Sequence, residues 1–182
     1  MIELPTLETS SLILRPVSSE DWPVVLEIQS NKELQRHVKE ILDLEAIKAM
    51  YNELLEPWQA EDNQWTMFVA VEKATDQPIG AFSLRIVSKY HGNAEMGYII
   101  LTNHQRKGFA SEGALAVKDY IFNHLNVRRI EAICNVDNIA SWKIMEKIGL
   151  QREALQRSNY RIYDTWYDSY IYAALNPSLK LT

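Results

Sequence analysis

A chain of 182 residues with 47% hydrophobic content can bury one sizeable core, and nothing in its composition marks a second domain. A net charge of -5 and a pI near 5.4 argue against broad binding to nucleic acid or an anionic membrane. The lone Cys134 excludes an internal disulfide, the N-terminus lacks the basic-then-apolar layout of a signal peptide, and no apolar run approaches the ~20 residues that span a bilayer, so a soluble cytoplasmic protein is expected.

In chain order, Ser11 to Pro16 reads as a strand, and Ser18-Ser19-Glu20-Asp21 then supplies a helix start that tolerates Pro23 in its first turn. That helix turns Val24, Val25 and Ile28 inward. From Leu44 to Glu56, the spacing of Ile47, Met50, Tyr51, Leu54 and Leu55 predicts a second helix, closed by Pro57. Thr66–Val71, Ile79–Val87 and Ala94–Leu101 read as a three-strand antiparallel meander, joined by Lys73-Ala74-Thr75-Asp76-Gln77-Pro78 and by Tyr90-His91-Gly92-Asn93. Ala114, Val117, Ile121 and Phe122 repeat at helical spacing between Gly108 and His124, and Arg129–Cys134 follows as a short strand; a strand-helix-strand unit implies parallel neighbours. Asp137 or Asn138 caps a further helix that Gly149 ends, and Leu155 to Ala174 holds two strand-like runs around Asn159 to Asp164.

The most informative stretch is Gln105-Arg106-Lys107-Gly108-Phe109-Ala110, which follows the apolar run Tyr98 to Leu101 and opens a helix. Such a turn offers unpaired N–H groups and the positive end of a helix dipole, which suit a phosphate; Arg106 and Lys107 add a local basic spot. A second helix start, Asn135-Val136-Asp137-Asn138-Ile139-Ala140-Ser141, follows the next strand, so two helix starts face one sheet edge. Alone, the glycine turn is a weak motif, and Gly108 opening a helix is the plain alternative.

Taken jointly, Leu12-Ile13-Leu14-Arg15-Pro16, Pro78-Ile79-Gly80, Ala94-Glu95-Met96-Gly97-Tyr98, the Gln-x-x-Gly-x-Ala turn, and Asn138-x-x-Ser141 running into Glu146-Lys147-x-Gly149-Leu150 resemble the GNAT superfamily of N-acetyltransferases, nearest its RimJ/RimL-type branch. The resemblance spans nearly the whole chain and implies one N-acetyltransferase domain over residues 1–182. It implies an α/β fold: a mixed central sheet flanked by helices, with its fourth and fifth strands splayed around acetyl-CoA. Pantetheine would bond to the backbone at Ile99, Ile100 and Leu101. Pyrophosphate would sit on the turn from Arg106 through Lys107, Gly108, Phe109 and Ala110, with Ser111 beyond, where Gly108 allows a close approach. Arg106 stands where the family often has glycine. Asn138 and Ser141 belong to the same cofactor-binding set.

The implied reaction moves an acetyl group from acetyl-CoA to a primary amine. Glu95 is the candidate base and Ser141 the candidate proton donor to the thiolate, with Tyr98 and Tyr160 as further hydroxyls. The plain alternatives are that Glu95 pairs with a cation and that Ser141 bonds its own helix start. Met145 occupies the position where many relatives outside the branch have tyrosine. That absence supports the rival reading, a non-catalytic acyl-CoA-binding or sensing module. The resemblance implies as acceptor a protein N-terminal amine, ribosomal proteins included, with small amines and amino-acid-like metabolites as alternatives; Glu53, Glu56 and Asp164 would attract a cationic acceptor, and a homodimer is compatible with the branch. His37, His91, His104 and His124 lack metal-ligand spacing, so no metal is expected. Glu112 is explained by its place near a positive helix end, Cys134 is a small buried hydrophobe, and Trp58, Trp65, Trp142 and Trp166 are core or pocket walls.

Overall fold

The computed structural model describes residues 3–178. Eight strands form one mixed sheet: β1 (Leu7–Glu8), β2 (Leu12–Pro16), β3 (Trp65–Glu72), β4 (Gln77–Ser88), β5 (Asn93–Ile100), β6 (Arg129–Asn135), β7 (Gln151–Ile162) and β8 (Thr165–Leu175), ordered β1-β2-β3-β4-β5-β6-β8-β7. Every pairing is antiparallel except β5 with β6. The helices are α1 (Trp22–Ser30), α2 (Lys32–Gln35), α3 (Leu44–Leu55), α4 (Phe109–His124) and α5 (Ile139–Lys147).

The expected meander is present as β3, β4 and β5, and the mixed sheet flanked by helices is the GNAT architecture. Counting the two-residue β1, the splayed pair is the fifth and sixth strands rather than the fourth and fifth. A strand that short carries too little alternation to be read from sequence. Leu101 falls just past β5, buried at the start of a 3-10 turn, Thr102–His104. The final hairpin turns at Tyr163-Asp164, and the extra residues around Ser158 form an irregularity in β7, where Ser158 takes φ 47°.

Strand alternation gives each sheet face its own core. Leu12, Leu14, Phe68, Phe82, Leu84, Ala94 and Met96 pack against α4 residues Ala114, Val117 and Ile121 on one face. On the other, Met67, Val69 and Ala81 meet Val24, Val25 and Ile28 of α1 and Tyr51 of α3. Along β5, Glu95, Gly97 and Ile99 therefore point toward α1 and α3, while Ala94, Met96, Tyr98 and Ile100 point toward α4 and α5.

Candidate acyl-transfer site

The site begins where a ladder stops. β5 and β6 pair at only three positions, Asn93 with Arg129, Ala94 with Ile130 and Glu95 with Glu131. Beyond Glu95 each strand keeps its other neighbour, β4 for β5 and β8 for β6. The facing edges from Met96 and from Ala132 onward are thus free of each other, and backbone groups there are open to a ligand. A cleft of about 930 Å³ opens from this wedge toward the early helices. Its walls include Glu95, Tyr98 and Ile99 of β5, Cys134 of β6, Ser141 of α5 and Glu53 of α3.

At the C-terminal end of β5 lies the turn into α4. Gly108 caps the helix at φ 90°, and Arg106 is held at φ 62°. Among the described residues, the N–H groups of Arg106, Lys107, Gly108, Phe109, Ala110 and Ser111 have no protein acceptor; the first bond into the helix is Glu112 N–H to the Gly108 carbonyl at 3.1 Å. Six donors at the positive end of a sixteen-residue helix suit a pyrophosphate, so the chain fits the phosphate end of acetyl-CoA. Gly108 takes a left-handed φ that L side chains rarely adopt, and a Cβ there would meet no protein atom within 4 Å. Arg106 occupies the same region of backbone space, which explains why glycine is comfortable at that position.

Glu95 is ion-paired. Its Oε2 accepts from Arg85 Nε at 3.0 Å and Nη2 at 2.5 Å, and the Arg85 guanidinium lies 4.8 Å from the centre of the Trp65 ring. Trp65, Arg85 and Glu95 are direct register partners across β3, β4 and β5, so this row is a cross-strand ladder on the face toward α1 and α3. The cation partner named as the plain alternative for Glu95 is therefore present, and the carboxylate still lines the cleft.

On the opposite face, the Tyr98 hydroxyl donates to the Ser141 carbonyl at 2.8 Å and lies 3.3 Å from Ser141 Oγ. Burial pushes the Tyr98 phenol far above its usual range, so it stays protonated at neutral pH. Asn138 caps α5, its Oδ1 accepting from Ser141 N–H at 3.2 Å, so the helix start is satisfied without the serine hydroxyl. Cys134 sits in the same corner; burial pushes its thiol up to about 11, against a smaller opposing effect of Ser141, which makes it a poor nucleophile at neutral pH. Met145 is buried beneath them.

Several other expected positions are resolved. The Tyr160 hydroxyl donates to the His37 carbonyl at 3.3 Å, and Glu112 accepts from Ser10 Oγ at 2.9 Å and Ser11 N–H at 2.7 Å, which ties α4 to the first hairpin. Glu53 and Glu56 line the cleft and Asp164 does not. Trp58 is buried and Trp65 lines the cleft, but Trp166 is 60% exposed at the hairpin tip, a departure from its reading as a core or pocket wall. Sequence reasoning missed Lys39, which lines the cleft from the segment after α2. No periodicity marks that segment. Among the described residues, no group of three or more His, Cys, Asp or Glu is arranged to hold a metal ion, and no helix is long and apolar enough to cross a membrane.

Residues 11–151 match the family model described as the acetyltransferase (GNAT) domain. The chain belongs to the GNAT acetyltransferases. It is 32% identical over 172 residues to the N-acetyltransferase YnaD of Bacillus subtilis (strain 168), covering 93% of this chain and 96% of that one. The spermidine N-acetyltransferase of Vibrio cholerae, solved with CoA and spermine, superposes with a TM-score of 0.82 at 24% identity, covering 92% and 97% of the two chains. RimL, a ribosomal L7/L12 alpha-N-protein acetyltransferase solved with coenzyme A, superposes with a TM-score of 0.83 at 18% identity, covering 94% and 98%. This GNAT chain is accordingly an acetyl-CoA-dependent N-acetyltransferase, and the non-catalytic alternative drawn from Met145 is not retained.

Proposed function

We propose that this GNAT enzyme acetylates the α-amine of a protein or peptide N-terminus, in the manner of the RimJ/RimL branch, with Glu95 and Ser141 as its acid-base pair. The observation that carries the reading is the wedge itself: Glu95 lies on one side of β5, toward α1 and α3, and Ser141 lies across the gap with Tyr98. Acetyl-CoA supplies a thioester, seated along Ile99, Ile100 and Leu101 with its phosphates on the turn from Arg106 to Ser111. Asn138 belongs to the donor side through the cap it makes for Ser141. Glu95, directly or through water, takes a proton from the attacking amine. As the N–C bond forms and the C–S bond breaks, Ser141 passes its proton to the departing thiolate and takes one back from solvent water, which leaves the hydroxyl restored. Tyr98 keeps its own proton on the Ser141 carbonyl and fixes the serine in place.

A cationic small amine is the second reading. Glu53 and Glu56 line the acceptor side, and the Vibrio cholerae neighbour is named for spermidine. Calorimetric titration with acetyl-CoA, followed by thiol release with a peptide bearing a free N-terminus, the same peptide N-acetylated, and spermidine, separates the two. Release with the free peptide alone supports the first reading; release with spermidine alone overturns it.

A further inference from the structure

The cleft contains a primary amine of its own. Lys39 lies just beyond α2, where its backbone N–H bonds to the Gln35 carbonyl at 3.2 Å, and its side chain lines the same cleft as Glu95 and Ser141. The segment carrying it is held from the far side of the molecule. The Tyr160 hydroxyl bonds to the His37 carbonyl at 3.3 Å, and the Tyr163 N–H donates to Glu40 Oε1 at 2.6 Å.

Three surface lysines of this chain are paired: Lys48 with Glu45 at 3.0 Å, Lys73 with Glu8 at 3.0 Å and Lys89 with Glu61 at 2.9 Å. Lys39 differs from them. The titratable groups that share the cleft with it are His37, Glu53, Glu56, Glu95, Cys134, Tyr98 and Tyr160, and among the described residues none of the carboxylates pairs with its ammonium. Burial lowers the Lys39 amine from its ordinary value, which raises the fraction present as the uncharged nucleophile.

We propose that Lys39 is an internal acyl acceptor, acetylated in cis on Nζ by the acetyl-CoA bound in the same cleft. The balance is that of the enzyme's own reaction. An Nζ–C bond forms, the C–S bond of the thioester breaks, the amine gives up a proton to Glu95 or water, and the thiolate takes one. The products are N-acetyl-lysine and CoA. The proposal rests on the cleft being the acyl-transfer site. Its effect is to remove a positive charge from the acceptor wall and to add an acetamide there.

The test is incubation of the purified enzyme with acetyl-CoA and no acceptor, read by intact mass and by peptide mapping of Lys39 against Lys48 and Lys89. Confinement beside the donor raises the effective concentration of Lys39, so its acetylation is expected about tenfold faster or more than that of the surface lysines. The rate per molecule is expected to hold on dilution, and the mark to be lost in Lys39→Arg and in heat-unfolded wild type. Equal labelling of Lys39 and Lys48, or a rate that falls with protein dilution, overturns the proposal. Thiol release with an external amine, run in parallel, separates the two ideas: release with no mark on Lys39 leaves the transferase site standing and removes this inference alone.

Discussion

At the scale of single residues, the Tyr98 to Ser141 contact makes the sharpest claim. Ser141→Ala is expected to lower kcat by about 10²- to 10⁴-fold with little change in acetyl-CoA affinity, since a positioned proton donor contributes roughly that much. Tyr98→Phe removes a bond of 2.8 Å to the Ser141 carbonyl and is expected to lower kcat less. If Tyr98 acts by fixing the serine, its removal in the Ser141→Ala background changes almost nothing; additive losses in that double-mutant cycle would show that it acts independently. The turn before α4 carries a second residue-scale claim. Gly108→Ala keeps open space around the new Cβ but forces φ 90° on it, at a cost of about 1 kcal/mol, whereas Arg106→Gly relieves φ 62° and removes a cation. The first variant should melt lower and the second higher, with acetyl-CoA affinity by calorimetry reduced in both. Lower melting of Arg106→Gly would count against the strain at that position.

At the scale of elements, the start of α1 shows what sequence reading catches and what it misses. Asp21 stands at the N-cap as the pattern predicts, yet its side chain makes no cap bond. Its carboxylate, only 1% exposed, accepts from both terminal nitrogens of Arg15 at 2.7 Å and from Ser18 N–H and Oγ, which clamps β2 to α1. Burial alone would raise the Asp21 pKa, but the bonds from Arg15 and Ser18 outweigh it and leave it below the ordinary value of 3.8. Asp21→Asn is therefore expected to cost about 3 kcal/mol in urea melts near neutral pH. The carboxylate's extra stability is fully present above the unfolded pKa and is lost as pH falls through the folded one. The gap between wild type and variant should hold constant down to about pH 4 and shrink below it. Arg15 was legible as part of the Leu12 to Pro16 motif, but its partner was not, because an ion pair between a strand and the next helix leaves no periodic trace. The same limit applies to α2, whose four residues are too few for a 3.6 period, and to the Trp65–Arg85–Glu95 row, which needs the register of three strands before the residues meet. Longer elements such as α4 and the meander were legible because their apolar spacing recurs.

At the scale of the whole molecule, the sheet runs paired across its eight strands, with local register shifts in β3–β4, β4–β5 and β7–β8, and opens at the wedge between β5 and β6; glycine sets how closely β4 approaches the wedge's first wall. A Cβ on Gly80 would fall 2.3 Å from the Ile99 carbonyl oxygen, a backbone atom in the stretch assigned to pantetheine. Gly80→Ala is expected to destabilise the fold by about 1–3 kcal/mol and to weaken acetyl-CoA binding together with it; a lower melting point with unchanged affinity would detach Ile99 from the donor site. The second wall depends on the last part of the chain. β6 holds β5 at three positions and β8 at seven, and β8 runs to Leu175. Synthesis proceeds from the N-terminus, so a nascent chain already carries β5, the phosphate turn and α4 while β6 still lacks its main neighbour. The second wall of the acyl-CoA wedge is therefore completed only when β8 docks on β6, after the phosphate turn and α4 have already been made.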